Sequence, residues 1–160
     1  MLLRCLKAEL VKFHRSPVWL AFVLLPVFPA ILGTVNYLGN IEVLENAWYS
    51  LWSQHTLFSS MFFLPALLSV FCAWQWRLEH TDHNWNSFLT VPASMIDLCL
   101  TKLIWAAVVS LLAQVWIGAL FVLSGKLAGI SGPLPPELPE WFLCGAVGNV
   151  TVCAVQLYFS

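Results

Sequence analysis

Four stretches of the chain, residues 17–38, 57–76, 103–124 and 141–159, contain no Asp, Glu, Lys, Arg or His. At a rise of roughly 1.5 Å per residue, a helix of about 20 residues crosses a hydrocarbon core of about 30 Å. Inside lipid every backbone N–H and C=O must be paired within its own segment, so each stretch is predicted to be a transmembrane helix. The basic residues lie before or between these stretches. Arg4, Lys7, Lys12 and Arg15 precede the first, Arg77 and Lys102 bound the middle segment, and Lys126 stands alone in the last connection. The positive-inside rule then places the N-terminus and residues 77–102 in the cytoplasm. The expected fold class is all-α: a polytopic, multi-pass protein of the cell membrane with an N-terminal interfacial helix and four transmembrane helices, forming one domain over residues 1–160.

Composition agrees with that reading. The chain is 60% hydrophobic and 9% charged, whereas a soluble domain carries about 25% charge. No basic, aromatic surface cluster suggests nucleic acid as a partner. The bilayer is the first partner. Of nine Trp, Trp48, Trp52 and Trp141 fall at the predicted outer boundary and Trp74 and Trp76 at the inner one, the headgroup levels that indole rings favour. The five Cys (Cys5, Cys72, Cys99, Cys144 and Cys153) form no C-x-x-C pair, and most fall in or near spans. They read as small hydrophobes, with no disulfide framework. The first apolar run is too long for a cleavable signal peptide and lacks a small-residue cleavage site.

Residues 1–15 have helical spacing of Leu2, Leu3, Leu6, Leu10 and Phe13, with Arg4, Lys7, Lys12 and Arg15 on the remainder and Glu9 as the one acid. Such a helix suits the membrane interface. Ser16-Pro17 ends it and starts the next, since Pro is tolerated at a first helical position. Pro26 and Pro29 predict a break inside the first span, and Pro65 a bend in the second. Residues 47–52, between the first two spans, read as a short helix at the outer surface. Residues 125–140, rich in Gly and Pro, read as a stiff extended linker. In the fourth span Gly145, Gly148, Asn149, Thr151 and Gln156 are expected to face other helices. The chain stops at the end of that span, so it reads as a truncated protein.

The segment after the second span carries the functional signal. Glu79, Asp82, Asn84 and Asn86 make a polar face and Trp85, Phe88 and Leu89 an apolar one, with Pro92 ending the segment and Asp97 and Lys102 at the membrane border. A short helix tethered between two spans suits transmission of displacement from a cytoplasmic partner. An acid just after span two, an aromatic six residues later, Leu89-Thr-Val-Pro92 and Lys102 at span three resemble the permeases of ABC-2 type transporters. The basic start, Lys7-Ala-Glu-Leu-Val-Lys-Phe-His-Arg-Ser-Pro17, is similar to the same family's N-terminus, and within it to the lantibiotic-protection permeases. The resemblance implies a coupling helix at residues 79–89 with Glu79, Asp82, Trp85, Phe88 and Leu89 as ATPase-coupling residues. It also implies a separate ABC ATPase subunit, a second permease subunit, and export of a hydrophobic or amphipathic peptide. Six spans are implied where four are seen. ATP enters through the partner: no Walker pattern is present, and the chain is expected to bind no cofactor or metal of its own.

Other readings use the same residues differently. Glu79, His80, Asp82 and His83 have the types of metal ligands, but a zinc site needs a third ordered ligand and a second shell; a solvated, partner-facing segment is the default. An intramembrane enzyme needs a nucleophile with a base, and the span hydroxyls Ser59, Ser60, Ser69 and Ser110 have no base in the spans. That absence also weakens an ion-coupled carrier. His14 and His55 read as isolated flanking residues. A non-transporting anchor or assembly factor is the alternative from another class. No substrate-binding residue is assigned.

Overall fold

The structure, a computed structural model, describes residues 2–14, 16–44, 46–81 and 94–160. Helix α1 (Leu2–His14) is followed by the Ser16-Pro17 corner, where the Ser16 N–H donates to Phe13 O (3.0 Å) and the Ser16 hydroxyl accepts from the Val18 N–H (3.2 Å). The first span is α2 (Val18–Leu24) and α3 (Val27–Gly39), broken at Leu25-Pro26. Neither Pro26 nor Pro29 has an N–H to donate one turn back, and the Leu25 carbonyl takes the Phe28 N–H instead (3.2 Å).

Helix α4 (Ala47–Phe58) runs through a π-helical turn (Ser59–Phe63) into α5 (Leu64–His80). Residues 47–52 are therefore the first turns of the second span's helix, which corrects the expectation of a separate surface helix. Polar residues do not stop the helix, because the Ser53 and Thr56 hydroxyls return to the carbonyls of Ser50 and Trp52 (2.8 and 2.7 Å). Where a bend is predicted at Pro65, the structure has the π-helical turn just before it. Pro65 cannot donate to Met61 O, and the turn widens to the π pattern.

Helix α6 (Met95–Leu127) has 33 residues, against the 22 of the charge-free stretch within it. The Ser94 hydroxyl caps it by accepting from the Asp97 N–H (3.0 Å). At its end Gly129 adopts φ +78°, the Gly129 N–H donates to Lys126 O (3.2 Å), and the Ile130 N–H donates to Gly125 O (3.0 Å). This paired closure needs a left-handed residue, which glycine supplies without strain. A short connection leads to α7 (Leu138–Phe159), with Pro139 in its first turn.

Among the described residues four helical segments are long and apolar enough to cross a membrane: Val18–Gly39, Ala47–Arg77, Met95–Leu127 and Leu138–Phe159. No strand occurs among the described residues. The chain is an all-α polytopic membrane protein, and its many exposed Leu, Val, Ile and Phe side chains form the lipid-facing surface.

Two apolar clusters lie at opposite ends of the bundle. At the α1 end, Phe13 is buried against Phe71, Trp74 and Trp105, with ring centroids 5.2–5.6 Å away. Trp19 and Trp105 donate to the carbonyls of Phe13 and Leu6 (3.0 and 3.1 Å). Thus α1 is docked by its Cys5–Leu6–Glu9–Lys12–Phe13 stripe, while Leu3, Leu10 and Val11 are exposed. At the far end Tyr37, Trp48, Leu51 and Phe121 pack together.

His55, expected as an isolated flanking residue, is buried within this far half. Its Nε2 lies 3.1 Å from the Thr34 hydroxyl, and a Cβ on Gly33 would stand 3.0 Å from its backbone.

Helix α7 packs on α5 and α6 but keeps one broad face exposed. Gly145 and Asn149 meet Gln114 as expected of helix-facing residues, whereas Gly148 and Thr151 are exposed. Thr151 needs no partner helix, since its hydroxyl donates to Val147 O (2.9 Å). Gln156 bonds Ser160 instead of another helix.

Candidate functional site

Where α1, the end of α5 and the start of α6 meet, four charged side chains form a closed ionic corner. Glu9 and Lys12 come from one face of α1, three residues apart. Gln75 and Glu79 come from the last turns of α5, four residues apart. Lys102 comes from α6, two turns past its cap. The Lys102 ammonium donates to the backbone carbonyl of Gln75 (2.8 Å), to Glu79 Oε1 (3.2 Å) and to Glu9 Oε1 (3.5 Å). It also lies 5.1 Å from the centre of the Trp76 ring. The Lys12 ammonium donates to Glu79 Oε1 (2.6 Å) and Glu9 Oε1 (2.8 Å). Two ammoniums and two carboxylates leave the corner neutral.

Burial makes that neutrality necessary. Lys102 is fully buried, Glu9 is 2% and Glu79 7% exposed; only Lys12 reaches solvent. Taking a charge out of water costs several kcal/mol per ion unless partners compensate, so each member depends on the others. Burial alone would raise the Glu79 carboxyl, but the Lys12 hydrogen bond and the charges of Lys102 and Lys12 outweigh it and hold Glu79 below the ordinary carboxylate range. Burial alone would lower Lys12, yet the hydrogen bonds to Glu79 and Glu9, with their charges, raise it. Two buried oxygens, Glu9 Oε2 and Gln75 Oε1, have no hydrogen-bond partner among the described residues.

Of the residues expected to couple to an ATPase, Glu79 lies in the last turn of α5 with its carboxylate turned into the bundle. It does not belong to the polar face of a separate short helix. The reason is electrostatic: two ammoniums inside the corner offer closer partners than solvent does. Asp82, Trp85, Phe88 and Leu89 lie outside the described residues. Of the candidate metal ligands, Asp82 and His83 do so as well, and no group of three His, Cys, Asp or Glu assembles a metal site among the described residues.

Sequence reasoning missed Glu9, Gln75 and Lys12 as partners of Glu79 and Lys102. The available signal was Glu9 itself, the one acid in a basic helix, spaced to share a face with Lys12. The corner can hold three elements in register: α1 and the two helices that flank residues 82–93.

A helical membrane protein whose N-terminal helix is pinned by buried ion pairs to both sides of one inter-span segment is the class these features define. A family model described as ABC-2 family transporter protein matches residues 5–160, and the chain belongs to that family. No curated protein and no solved structure matches it.

Proposed function

We propose that the chain is the membrane permease subunit of an ATP-driven ABC-2 exporter, with ATP hydrolysed on a separate ABC ATPase subunit. The observation that carries this reading is the family match over nearly the whole chain. The ionic corner supports it, because it lies at the base of the segment on which a partner would act. By the distribution of Lys and Arg, the N-terminus and residues 77–102 face the cytoplasm of a cell membrane. Asp82, Trp85, Phe88 and Leu89 form the ATPase-docking segment, and Glu79 fixes its base to α1 and α6. ATP-driven closure of the partner pushes on this segment, and α1, α5 and α6 move together because the corner ties them. Two permease subunits pair across the bilayer. The cargo is a hydrophobic or amphipathic molecule, such as a lantibiotic-like peptide, leaving from the membrane.

The test is a pull-down of the protein from native membranes, with mass spectrometry and an ATPase assay. The expected result is a stoichiometric ATPase partner whose retention falls at least tenfold in Trp85→Ala, since truncating an interface anchor costs about 2 kcal/mol or more. Recovery of the protein from gently solubilised membranes with no ATPase partner would overturn the reading.

A further inference from the structure

In the half of the bundle far from α1, helices α4 and α7 stand apart over α6. At the far end they are bridged by the stacked rings of Trp52 and Trp141 (centroids 5.2 Å, planes 22° apart) and by the hydrogen bond from Tyr49 to Glu137 (2.7 Å). Toward the α1 end, α7 closes onto α5. Gln114 and Ile117 of α6 form the floor. The space between is a cleft of about 470 Å³, within the usual range of ligand sites of about 300–1,000 Å³. Both ends and the floor are occupied by protein, so its opening is lateral, toward the bilayer. Ser60, Cys144 and Gly148 are the exposed residues of its walls.

The lining is unusual for a surface that faces lipid. The polar side chains Thr56, Ser59, Ser60, Gln114 and Asn149 converge on it. Some are satisfied internally: Gln114 donates to Phe142 O (2.8 Å) and Asn149 donates to Gln114 Oε1 (3.0 Å). The Ser60 hydroxyl and the Asn149 side-chain carbonyl have no partner among the described residues, and free polar groups are costly against hydrocarbon. The π-helical turn Ser59–Phe63 lies in one wall, a feature that recurs at functional sites. Gly145 and Gly148 keep the opposite wall shallow. Among the described residues no Asp, Glu, Lys or Arg lines the cleft, and His55 is engaged by Thr34.

We propose that this cleft is a lateral binding window for an uncharged amphiphile dissolved in the bilayer. Its apolar body lies against Leu64, Ile117 and Val152, and its hydroxyl or amide groups meet Ser60 and Asn149. A charged headgroup is excluded, because the walls supply no counter-charge in a low-dielectric site. That the ligand is cargo rests on the exporter reading above; that it binds does not.

Cys144 lies in the wall and reports occupancy directly. The full-length protein is reconstituted in phosphatidylcholine vesicles without ATP, and alkylation by membrane-permeant N-ethylmaleimide is followed by mass spectrometry of the Cys144 peptide. Cys99, also exposed but outside the window, is the control. A short-chain ceramide, uncharged with hydroxyl and amide groups, should slow Cys144 alkylation at least fivefold and leave Cys99 unchanged. Ser60→Ala and Asn149→Leu should each abolish most of that protection, with an unchanged Cys99 rate as the check on folding. Phosphatidylglycerol should give no protection. An unaltered Cys144 rate with ceramide, equal protection by phosphatidylglycerol, or a Cys144 that never reacts would each overturn the window. Because no ATPase or transport is involved, the result is independent of the pull-down.

Discussion

The two ends of the bundle solve one problem with opposite chemistry. At each end a segment distant in sequence is fastened to the spans. At the α1 end the fastening is ionic: Glu9, Lys12, Glu79 and Lys102, with hydrogen-bond partners from three elements. At the far end it is aromatic and steric. Trp48 is buried 5.4 Å from Phe121, its indole N–H donates to Gly132 O (3.3 Å), and its ring fills the space where Gly125 has no side chain. The difference teaches what each end tolerates. Apolar packing is graded and can be relieved by trimming a ring, whereas a buried neutral set of charges is cooperative and relieved only by restoring neutrality.

The largest effect expected is that of Lys102→Met. It leaves two buried carboxylates sharing the half-exposed Lys12, and breaking a buried pair from one side costs about 3–5 kcal/mol. Thermal unfolding in detergent micelles should show a large loss, and the double variant Lys102→Met/Glu79→Gln should recover part of it, since one carboxylate then faces one ammonium. A double variant no more stable than the single would show that the four charges do not act as a unit. The steric end comes next. A Cβ on Gly125 would stand 2.2 Å from the Trp48 ring, so Gly125→Ala should cost about 1–3 kcal/mol of overpacking. Adding Trp48→Phe, which removes the outer part of that ring, should return most of the loss. Failure of that rescue would place the strain in the backbone and end the analogy between the two corners.

Much of this contrast was legible in the sequence, and the illegible parts have definite causes. The charge-free stretches located the four spans found among the described residues, and Pro26 and Pro65 located the break and the π-helical turn, because a missing N–H acts wherever the fold puts it. The Trp groups were sorted correctly to two ends. The length of α6 was not legible: Asp97, Lys102 and Lys126 bound the charge-free run, but a charge does not stop a helix, whereas Ser94 and Gly129 do. Residues 47–52 look separate in the sequence for the same reason, since Gln54 and His55 interrupt apolarity without interrupting hydrogen bonding. The ionic corner was hidden by distance along the chain, with Glu9 and Lys102 93 residues apart. The lateral cleft was hidden because Thr56, Ser60, Gln114 and Asn149 each look like an ordinary packing residue until three helices bring them together.

The smallest and most discriminating effect is on pH dependence. A Glu79 carboxyl held below its ordinary value of 4.5 binds a proton more readily unfolded than folded. Its contribution is therefore complete above that value and is lost as pH falls through the lower folded value. Lys12, raised above 10.5, behaves in the opposite sense: its contribution is complete below that value and is lost as pH rises through the folded one. The alkaline loss should be modest, because Lys12 is partly solvated. Melting temperature measured against pH should thus form a plateau that falls at both edges. Glu79→Gln should lower the plateau and flatten its acid edge relative to the unaltered protein. Gly125→Ala should lower the whole curve and leave the acid edge where it is, because the substitution removes no ionisable group and touches none of the four charges. Equal acid edges in the unaltered protein and Glu79→Gln would mean that other carboxylates govern acid unfolding, and the ionic corner would then differ from the aromatic one in composition but not in behaviour.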